Sequence, residues 1–525
     1  LNLTLHTQPP RTLLKRTQTR CPVCQAAIPG EVWKEGVAPG RVLLRRTCPE
    51  HGDSSACLAT DARFYWLAQG KPENSGCCQP GSSCCSADGS APASLGRNAA
   101  GHGEQPFETL STCLALIEIV RSCNLSCPTC YADSPLGAGG KVDAVPLPEL
   151  KTRIEGVIAR KGKIEILQLS GGEPTLHPHF FELLEWVQGH SHIDYALINT
   201  NGVRIANDAE FAAQLALAAQ RRKLQLYLQF DGVQAAAQHF LRGADLRATR
   251  ERALAVCAEI DLPVTLAMTV TPASLPHVWE AIEFGLARPI VHGITFQPMF
   301  RSGRRPNAGP PLLPRPARHE RGEGRGEGLL SDTPTNARST TSPQPSPPSD
   351  GGEGVEALRP GTVPGAVLDA GERLNAADIL LAALAQSSGR LKRDDFTPLP
   401  CGDPNCAIIG YLLRLNGQVH SVSEFLDFAR LQGFLQNKIQ YTVADLARCG
   451  CETEPLGALL KDLELKGSVA FRLMVKPFMD AWTWDQDRID RCCTHVIRPD
   501  GKLDSFCRYY SGFPDSKPTL MTHGG

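Results

Sequence analysis

Three cysteines on one loop, Cys123-Asn-Leu-Ser-Cys127-Pro-Thr-Cys130, are the residues whose type and spacing specify chemistry most directly. They follow an apolar run, Leu114-Ala-Leu-Ile-Glu-Ile-Val120, that reads as a buried strand. Thiolates spaced C-x3-C-x2-C suit a cubane iron–sulfur cluster, [4Fe-4S], and three cysteines leave one of its four irons without a protein ligand. An iron with an open position holds a substrate or cofactor directly, whereas a cluster with four cysteines mainly moves electrons. The alternatives are a zinc knuckle or a disulfide. Zinc sites pair C-x2-C with a second, distant pair, and here the run is a triplet after a strand.

Two further cysteine groups ask for metal. Cys21-Pro-Val-Cys24 and Cys48-Pro-Glu-His51-Gly52 are short hooks flanking a strand-like Arg41-Val-Leu-Leu-Arg45, the pattern of a ribbon around one tetrahedral ion. Cys21, Cys24 and Cys48 are the expected ligands, with His51 or Cys57 as the fourth. Zinc that stabilises a small fold and a rubredoxin-like iron both remain open, iron favouring Cys57. Near the C-terminus, Cys401, Cys406, one of Cys492 and Cys493, and Cys507 are each flanked by turns. Together they can enclose an auxiliary [4Fe-4S] cluster with every iron held, or a zinc ion on the same ligands. The vicinal pairs Cys77-Cys78 and Cys84-Cys85 are poor geometry for one ion and read as an accessory segment or plain linker.

The elements that must position the triplet are regular. Strand-like runs occur at 114–120, 163–169, 195–199, 224–230, 264–270 and 293–297, with helix-compatible stretches at 147–160, 178–189, 207–220, 245–260 and 274–287. Alternation of this kind implies a parallel sheet with right-handed crossovers, and a partial (β/α)6 TIM-type barrel fits, with active residues at the carboxyl ends of the strands. The second strand ends in Ser170-Gly171-Gly172-Glu173-Pro174, where small residues permit close backbone approach and Glu173 offers a carboxylate. The third ends in Asn199-Thr200-Asn201-Gly202, the fourth in Gln229-Phe230-Asp231-Gly232, and the sixth at Gln297.

Composition bounds the rest. The chain has 525 residues, and Lys+Arg (54) balances Asp+Glu (55), so no net field recruits nucleic acid or anionic membrane. No apolar run approaches the roughly 20 residues of a transmembrane span, and residues 1–20 lack the apolar core of a secretory signal. A cytoplasmic protein is the expectation, and 20 cysteines there argue for metal rather than disulfides. The α/β organisation expected is a metal-binding ribbon (1–70), a Gly/Ser/Cys-rich linker (71–110), the barrel (111–302), a low-complexity insertion (303–362) and a C-terminal iron–sulfur domain (363–525).

The cysteine loop, with Tyr131 after it, and the GGEP run Gly171-Gly172-Glu173-Pro174 resemble the signature of radical S-adenosylmethionine (SAM) enzymes. The Cys-Pro-x-Cys…Cys-Pro-Glu-His-Gly start, Thr112 to Glu118, Pro398-Leu-Pro-Cys401…Cys406 and the closing Asp500-Gly501…Phe506-Cys507 resemble one branch, that of class D methylases and tetraether lipid synthases. The tract 71–110 departs from that branch, which has a cysteine–histidine block there. The resemblance implies SAM on the open iron, its amino group at the GGEP run, and Asn199, Asn201, Gln229 and Asp231 near its ribose and carboxylate or facing the substrate. It also implies an electron donor such as flavodoxin or ferredoxin. The expected reaction is cleavage of SAM to a 5'-deoxyadenosyl radical, then methylation or carbon–carbon bond formation on a small-molecule or lipid substrate, pterin-like substrates included. The rival readings are a radical SAM enzyme that modifies a peptide and a non-catalytic iron–sulfur electron carrier.

Overall fold

A computed structural model of the chain describes residues 10–67, 112, 114–137, 142–304, 368–369, 373–399, 402–415, 417–424 and 470–513. Cys77, Cys78, Cys84, Cys85 and Cys401, the 71–110 tract, and all of the 303–362 insertion beyond Arg304 lie outside the described residues.

The N-terminal part is an antiparallel meander of β1 (Arg11–Arg20), β2 (Ala27–Glu35), β3 (Arg41–Cys48) and β4 (Gly52–Ala59). Val32, Val42 and Leu44 are fully buried and join the main core, while the opposite face carries Trp33 and Leu43, paired across β2 and β3.

The central unit alternates strand and helix: β5 (Leu114–Val120), α1 (Leu147–Lys161), β6 (Ile164–Gly171), α2 (Phe180–Gly189), β7 (Ile193–Thr200), α3 (Val203–Asn207), α4 (Ala209–Gln220), β8 (Leu224–Gln229), α5 (Ala235–Arg242), α6 (Arg247–Glu259), β9 (Val264–Val270), α7 (Val278–Leu286) and β10 (Val291–Pro298). β5 to β10 lie side by side in sequence order, every pair parallel. Strands such as β9, Val-Thr-Leu-Ala-Met-Thr-Val, are buried on both faces, as a sheet covered by crossover helices requires. The helices bury single stripes: in α1 the stripe is Leu147, Leu150, Ile154, Val157 and Ile158, and Gly162, at φ +80°, stops the helix by donating to the Ile158 carbonyl at 2.7 Å.

The C-terminal segment was expected to stand apart as a domain, and here the structure differs. After β11 (Leu368–Asp369), α8 (Ala376–Gln386), β12 (Phe396–Pro398), β13 (Ile408–Leu415) and β14 (Gln418–Ser421), strand β15 (Ala470–Val475) pairs in parallel with β10. Past α9 (Gln486–Asp490), strand β16 (Thr494–Ile497) pairs in parallel with β5, and the chain ends its described part in β17 (Leu503–Ser505) and α10 (Phe506–Ser511). Both open edges of the six-stranded sheet are thereby covered, which satisfies backbone groups an edge leaves unpaired. One consequence is that Cys492 and Cys493 lie at the amino end of β5, where Cys493 O accepts from Leu114 N (3.3 Å), and Cys507 follows β17, whose Ser505 pairs with His495.

Candidate active site

A cavity of about 460 Å³ opens at the carboxyl ends of the barrel strands. Cys123, Cys127 and Cys130 line one side, Gly171, Gly172 and Glu173 another, and Asn199, Asn201, Gln229, Thr269 and Gln297 the remainder. The three cysteines are brought together by local backbone bonds. Cys123 N donates to the Pro135 carbonyl at 2.9 Å, Gly137 N donates to the Cys123 carbonyl at 2.9 Å, and Leu125 N lies 3.4 Å from the Cys123 sulfur. Cys130 exchanges backbone hydrogen bonds with Arg304 (3.1 and 2.8 Å), whose guanidinium also donates to the carbonyls of Cys127 (3.1 Å) and Ser134 (2.7 Å). The chain leaving β10 thus clamps the loop. Gly303, at φ +64°, permits this, since a Cβ there would stand 2.1 Å from the Cys130 carbonyl oxygen.

The glycines after β6 serve the same loop. Gly171, at φ +126°, and Gly172 would put a Cβ 2.0 Å from the Val120 oxygen and 2.1 Å from the Ser122 oxygen. Their backbone crosses the exit of β5, where Gly172 N donates to Val120 O (2.8 Å) and Glu173 N to Ser122 O (3.0 Å). Small residues are therefore needed for chain crossing as well as for lining the cavity.

Glu173 is 1% exposed, and its carboxylate is engaged within the protein. Oε1 accepts from the Thr175 hydroxyl (2.7 Å), Thr175 N (3.3 Å) and the Thr200 hydroxyl (2.7 Å), while Oε2 accepts from Asn201 N (2.8 Å). Burial pushes its pKa up, and these donors oppose the shift. Glu173 fastens the end of β7 to the end of β6, and Oε2 has capacity for one more donor from the cavity. Pro174 does not line the cavity; it opens the 3-10 turn that the Glu173 side chain caps.

Asp231 is the clearest correction. Expected to face the ligand, it is fully buried behind the wall, at φ +63°. Its carboxylate accepts from Arg242 Nε (2.6 Å) and Nη2 (3.0 Å), from Gln229 Nε2 (2.8 Å) and from Thr269 N (3.1 Å). Burial pushes its pKa up, but the guanidinium outweighs it and leaves the carboxyl below its usual range. What reaches the cavity is Arg242, which sequence reasoning missed because α5 was not among the expected helices. The signal available was Arg242-Gly243, a basic last turn followed by a left-handed glycine cap.

The donor set fits an iron–sulfur cluster. Burial raises the Cys123 thiol to about 12, and a cation bound at the sulfur would displace that proton. Donors already point at the sulfurs: Leu125 N and, at 3.8 Å, Asn201 Nδ2 toward Cys123, and Arg242 toward Cys127.

The other two groups also assemble. The atoms of Cys21, Cys24, Cys48 and His51 that can bind metal all lie within 4.8 Å of one another, with Cys24 Sγ 3.8 Å from Cys48 Sγ and Cys48 Sγ 3.5 Å from His51 Nδ1. Burial pushes Cys24 up to about 11. In Cys48, hydrogen bonds from His51 and nearby backbone outweigh burial and bring it to about 7. Three thiols and an imidazole at this spacing suit one tetrahedral ion. Cys57 stands apart: in mid-strand it pairs with Leu43, whereas Cys48 and Gly52 form the hairpin end, and its sulfur is 4.0 Å from Asn375 Nδ2. Of the C-terminal set, Cys406, Cys492, Cys493 and Cys507 come together. Burial pushes the Cys492 thiol well up, and the charges of Cys406, Cys493 and Cys507 push it further. Met479 N points at the Cys507 sulfur (3.4 Å) and Arg488 at the Cys406 sulfur (3.9 Å). Cys257, in α6, is fully buried in the apolar core.

Comparison with known proteins agrees with this geometry. The radical SAM superfamily model matches residues 117–285, and the model of an HMPTM N-terminal zinc ribbon domain matches residues 13–60. The chain is 23% identical to the 7,8-dihydro-6-hydroxymethylpterin dimethyltransferase of Methanocaldococcus jannaschii over 94% of its own length and 93% of that protein. It is 34% identical to mycofactocin maturase MftC of Mycobacterium ulcerans, over 26% of this chain and 34% of that protein. Among solved structures, Streptococcus suis SuiB bound to precursor peptide SuiA aligns with 36% of this chain and 40% of that one, at 16% identity and a TM-score of 0.31.

Proposed function

Because the chain belongs to the radical SAM superfamily and is an enzyme, we propose that it methylates a carbon of a pterin-like heterocycle. Cys123, Cys127 and Cys130 would hold a [4Fe-4S] cluster and the open iron would hold SAM; bound there, the pair supplies a 5'-deoxyadenosyl radical able to remove hydrogen from an unactivated carbon. The residues of the chain orient and enclose. The Gly171-Gly172 backbone and Glu173 Oε2 would meet the SAM amino group, and Asn199, Asn201 and Gln229 line the same cavity. Gln297 is steered by its hydrogen bond to the Tyr227 hydroxyl (2.8 Å) and Asn199 by its bond to the Ser170 hydroxyl (3.1 Å). Neutral amides and hydroxyls next to Tyr131, Met299 and Phe300 suit a flat ring with donor and acceptor edges better than a lipid chain. The carrying observation is the match to a pterin dimethyltransferase along nearly the whole of both chains, ribbon included.

Cys21, Cys24, Cys48 and His51 would hold structural zinc, and Cys406, Cys507 and one or both of Cys492 and Cys493, with Cys401, an auxiliary [4Fe-4S] cluster. A reduced flavodoxin or ferredoxin would supply the electron. In the test, anaerobically reconstituted protein receives excess SAM, one molecule to be cleaved to the radical and a second to give up its methyl group, with dithionite as electron source and a ring- or side-chain-deuterated 6-hydroxymethyl-dihydropterin as acceptor. Deuterium in 5'-deoxyadenosine and a methylated pterin support the reading. A peptide from a neighbouring small gene that takes up the modification instead would replace it with peptide maturation, and absence of 5'-deoxyadenosine would leave an electron carrier.

A further inference from the structure

Two arginines, Arg242 lining the cavity and Arg488 buried, stand in the same relation to two different cysteine groups. On α5, Arg242 Nη1 lies 3.9 Å from the Cys127 sulfur. On α9, Arg488 Nη2 lies 3.9 Å from the Cys406 sulfur. The helices are unrelated in position, one following β8 and the other preceding β16.

Arg242 is aimed by its other guanidinium atoms, and Arg488 is held through the same nitrogen that nears the sulfur. Arg242 spends Nε and Nη2 on Asp231 (2.6 and 3.0 Å), and Asp231 is itself fixed by Gln229 and Thr269, so Nη1 has one direction left, toward the sulfur. Arg488 Nη2 is also held by the Pro477 carbonyl at 2.9 Å. Among the described residues its Nε, though buried, has no hydrogen-bond partner, and no carboxylate lies within ion-pair distance of it. A buried donor without a partner is costly, and the sulfur face of a cluster would satisfy it. The planar fork of arginine makes this arrangement; a lysine would offer a single point charge.

We propose that Arg242 and Arg488 are redox-tuning residues, each donating to a sulfur of its own iron–sulfur site and raising that site's reduction potential. The physical cause is general: an added electron makes a cluster more negative, and a cation hydrogen-bonded to its sulfur stabilises that form more than the oxidised one. This rests on the iron–sulfur reading of both cysteine groups. In that setting the arginines bring the two sites within reach of a biological one-electron donor, and neither needs to touch the reacting carbon.

The test is a redox titration of the full-length, anaerobically reconstituted protein followed by electron paramagnetic resonance, with SAM added to mark the first site's signal. Arg488→Met is expected to move the auxiliary signal to lower potential and leave the SAM-responsive one in place; Arg242→Met does the reverse. Arg242→Met strands a buried Asp231, so the pair Arg242→Met/Asp231→Asn and the charge-keeping Arg242→Lys are measured beside it, Lys showing a smaller shift. Both clusters present at unchanged potentials, or both shifting together in every variant, would overturn the assignment. Failure of the parent protein to hold any cubane would overturn the iron–sulfur reading itself, and this inference with it.

Discussion

Glu173 is a carboxylate whose four hydrogen bonds to its own chain hold two strand ends in place beside the cavity. Glu173→Gln substitutes an amide whose NH2 must face a donor at one oxygen position, so a loss of about 1–3 kcal/mol is expected. Chemical denaturation should register it, together with weakened SAM binding by calorimetry; unchanged stability would mean the strand ends hold without it. At this scale the motif residues were legible because Gly-Gly-Glu-Pro after a strand has few uses. The placement of Asp231 was not, since Asp-Gly after a strand reads the same whether the carboxylate faces a ligand or an arginine behind the wall. That choice was made by Arg242, eleven positions on in a helix of only eight residues, too short to stand out against the turns around it.

Among elements, the barrel strands were the most legible: β5 and β9 span the residues expected, because fully buried apolar runs bounded by turns leave little freedom. β1, β2 and β4 were not foreseen: β1 and β4 are half-exposed strands rich in Arg, Thr and Ser with weak alternation, and β2 carries Pro29 and Gly30, which read as a turn. Their hairpin geometry brings His51, and not Cys57, up to Cys21, Cys24 and Cys48. His51→Ala should lower bound zinc, measured by mass spectrometry of the native protein, whereas Cys57→Ala should leave it at one ion per chain; the opposite pattern would favour the iron reading. On β16, His495 is fully buried between the Thr112 hydroxyl (2.9 Å) and the Cys492 carbonyl (2.8 Å), and burial depresses its pKa to about 3. In the unfolded chain it takes a proton near pH 6.5, so its contribution is complete above that and is lost as pH falls toward 3. At pH 5 the loss is about 2 kcal/mol. Denaturation at pH 7.5 and pH 5 should show this slope, and His495→Gln should flatten it.

Across the whole molecule, the ribbon and the C-terminal segment meet at Asp485. Its carboxylate, 1% exposed, pairs with Lys15 Nζ (2.6 Å), accepts from the Thr17 hydroxyl (2.8 Å) and caps α9 through Asp487 N (3.2 Å). Asp485→Ala leaves Lys15 with Asp487 (3.2 Å) as its remaining carboxylate and should cost about 1–3 kcal/mol, with limited proteolysis cutting first in β1. An undisturbed ribbon would mean the contact is peripheral. None of this docking was legible in sequence, because long-range polar pairs leave no periodic trace. Nor was the covering of both barrel edges by β15 and β16: short strands after a long break look like the start of another domain.

Among the described residues no helix is long and apolar enough to cross a membrane. The account turns on whether the Cys123 loop leaves one iron for SAM. Mössbauer spectra of protein enriched in the resonant iron isotope, taken with and without SAM, read that iron directly. One iron of a cubane should change its signal when SAM is added, and the response should vanish when Cys123, Cys127 and Cys130 are all replaced by alanine. A spectrum indifferent to SAM, or a response that survives the three replacements, would contradict it.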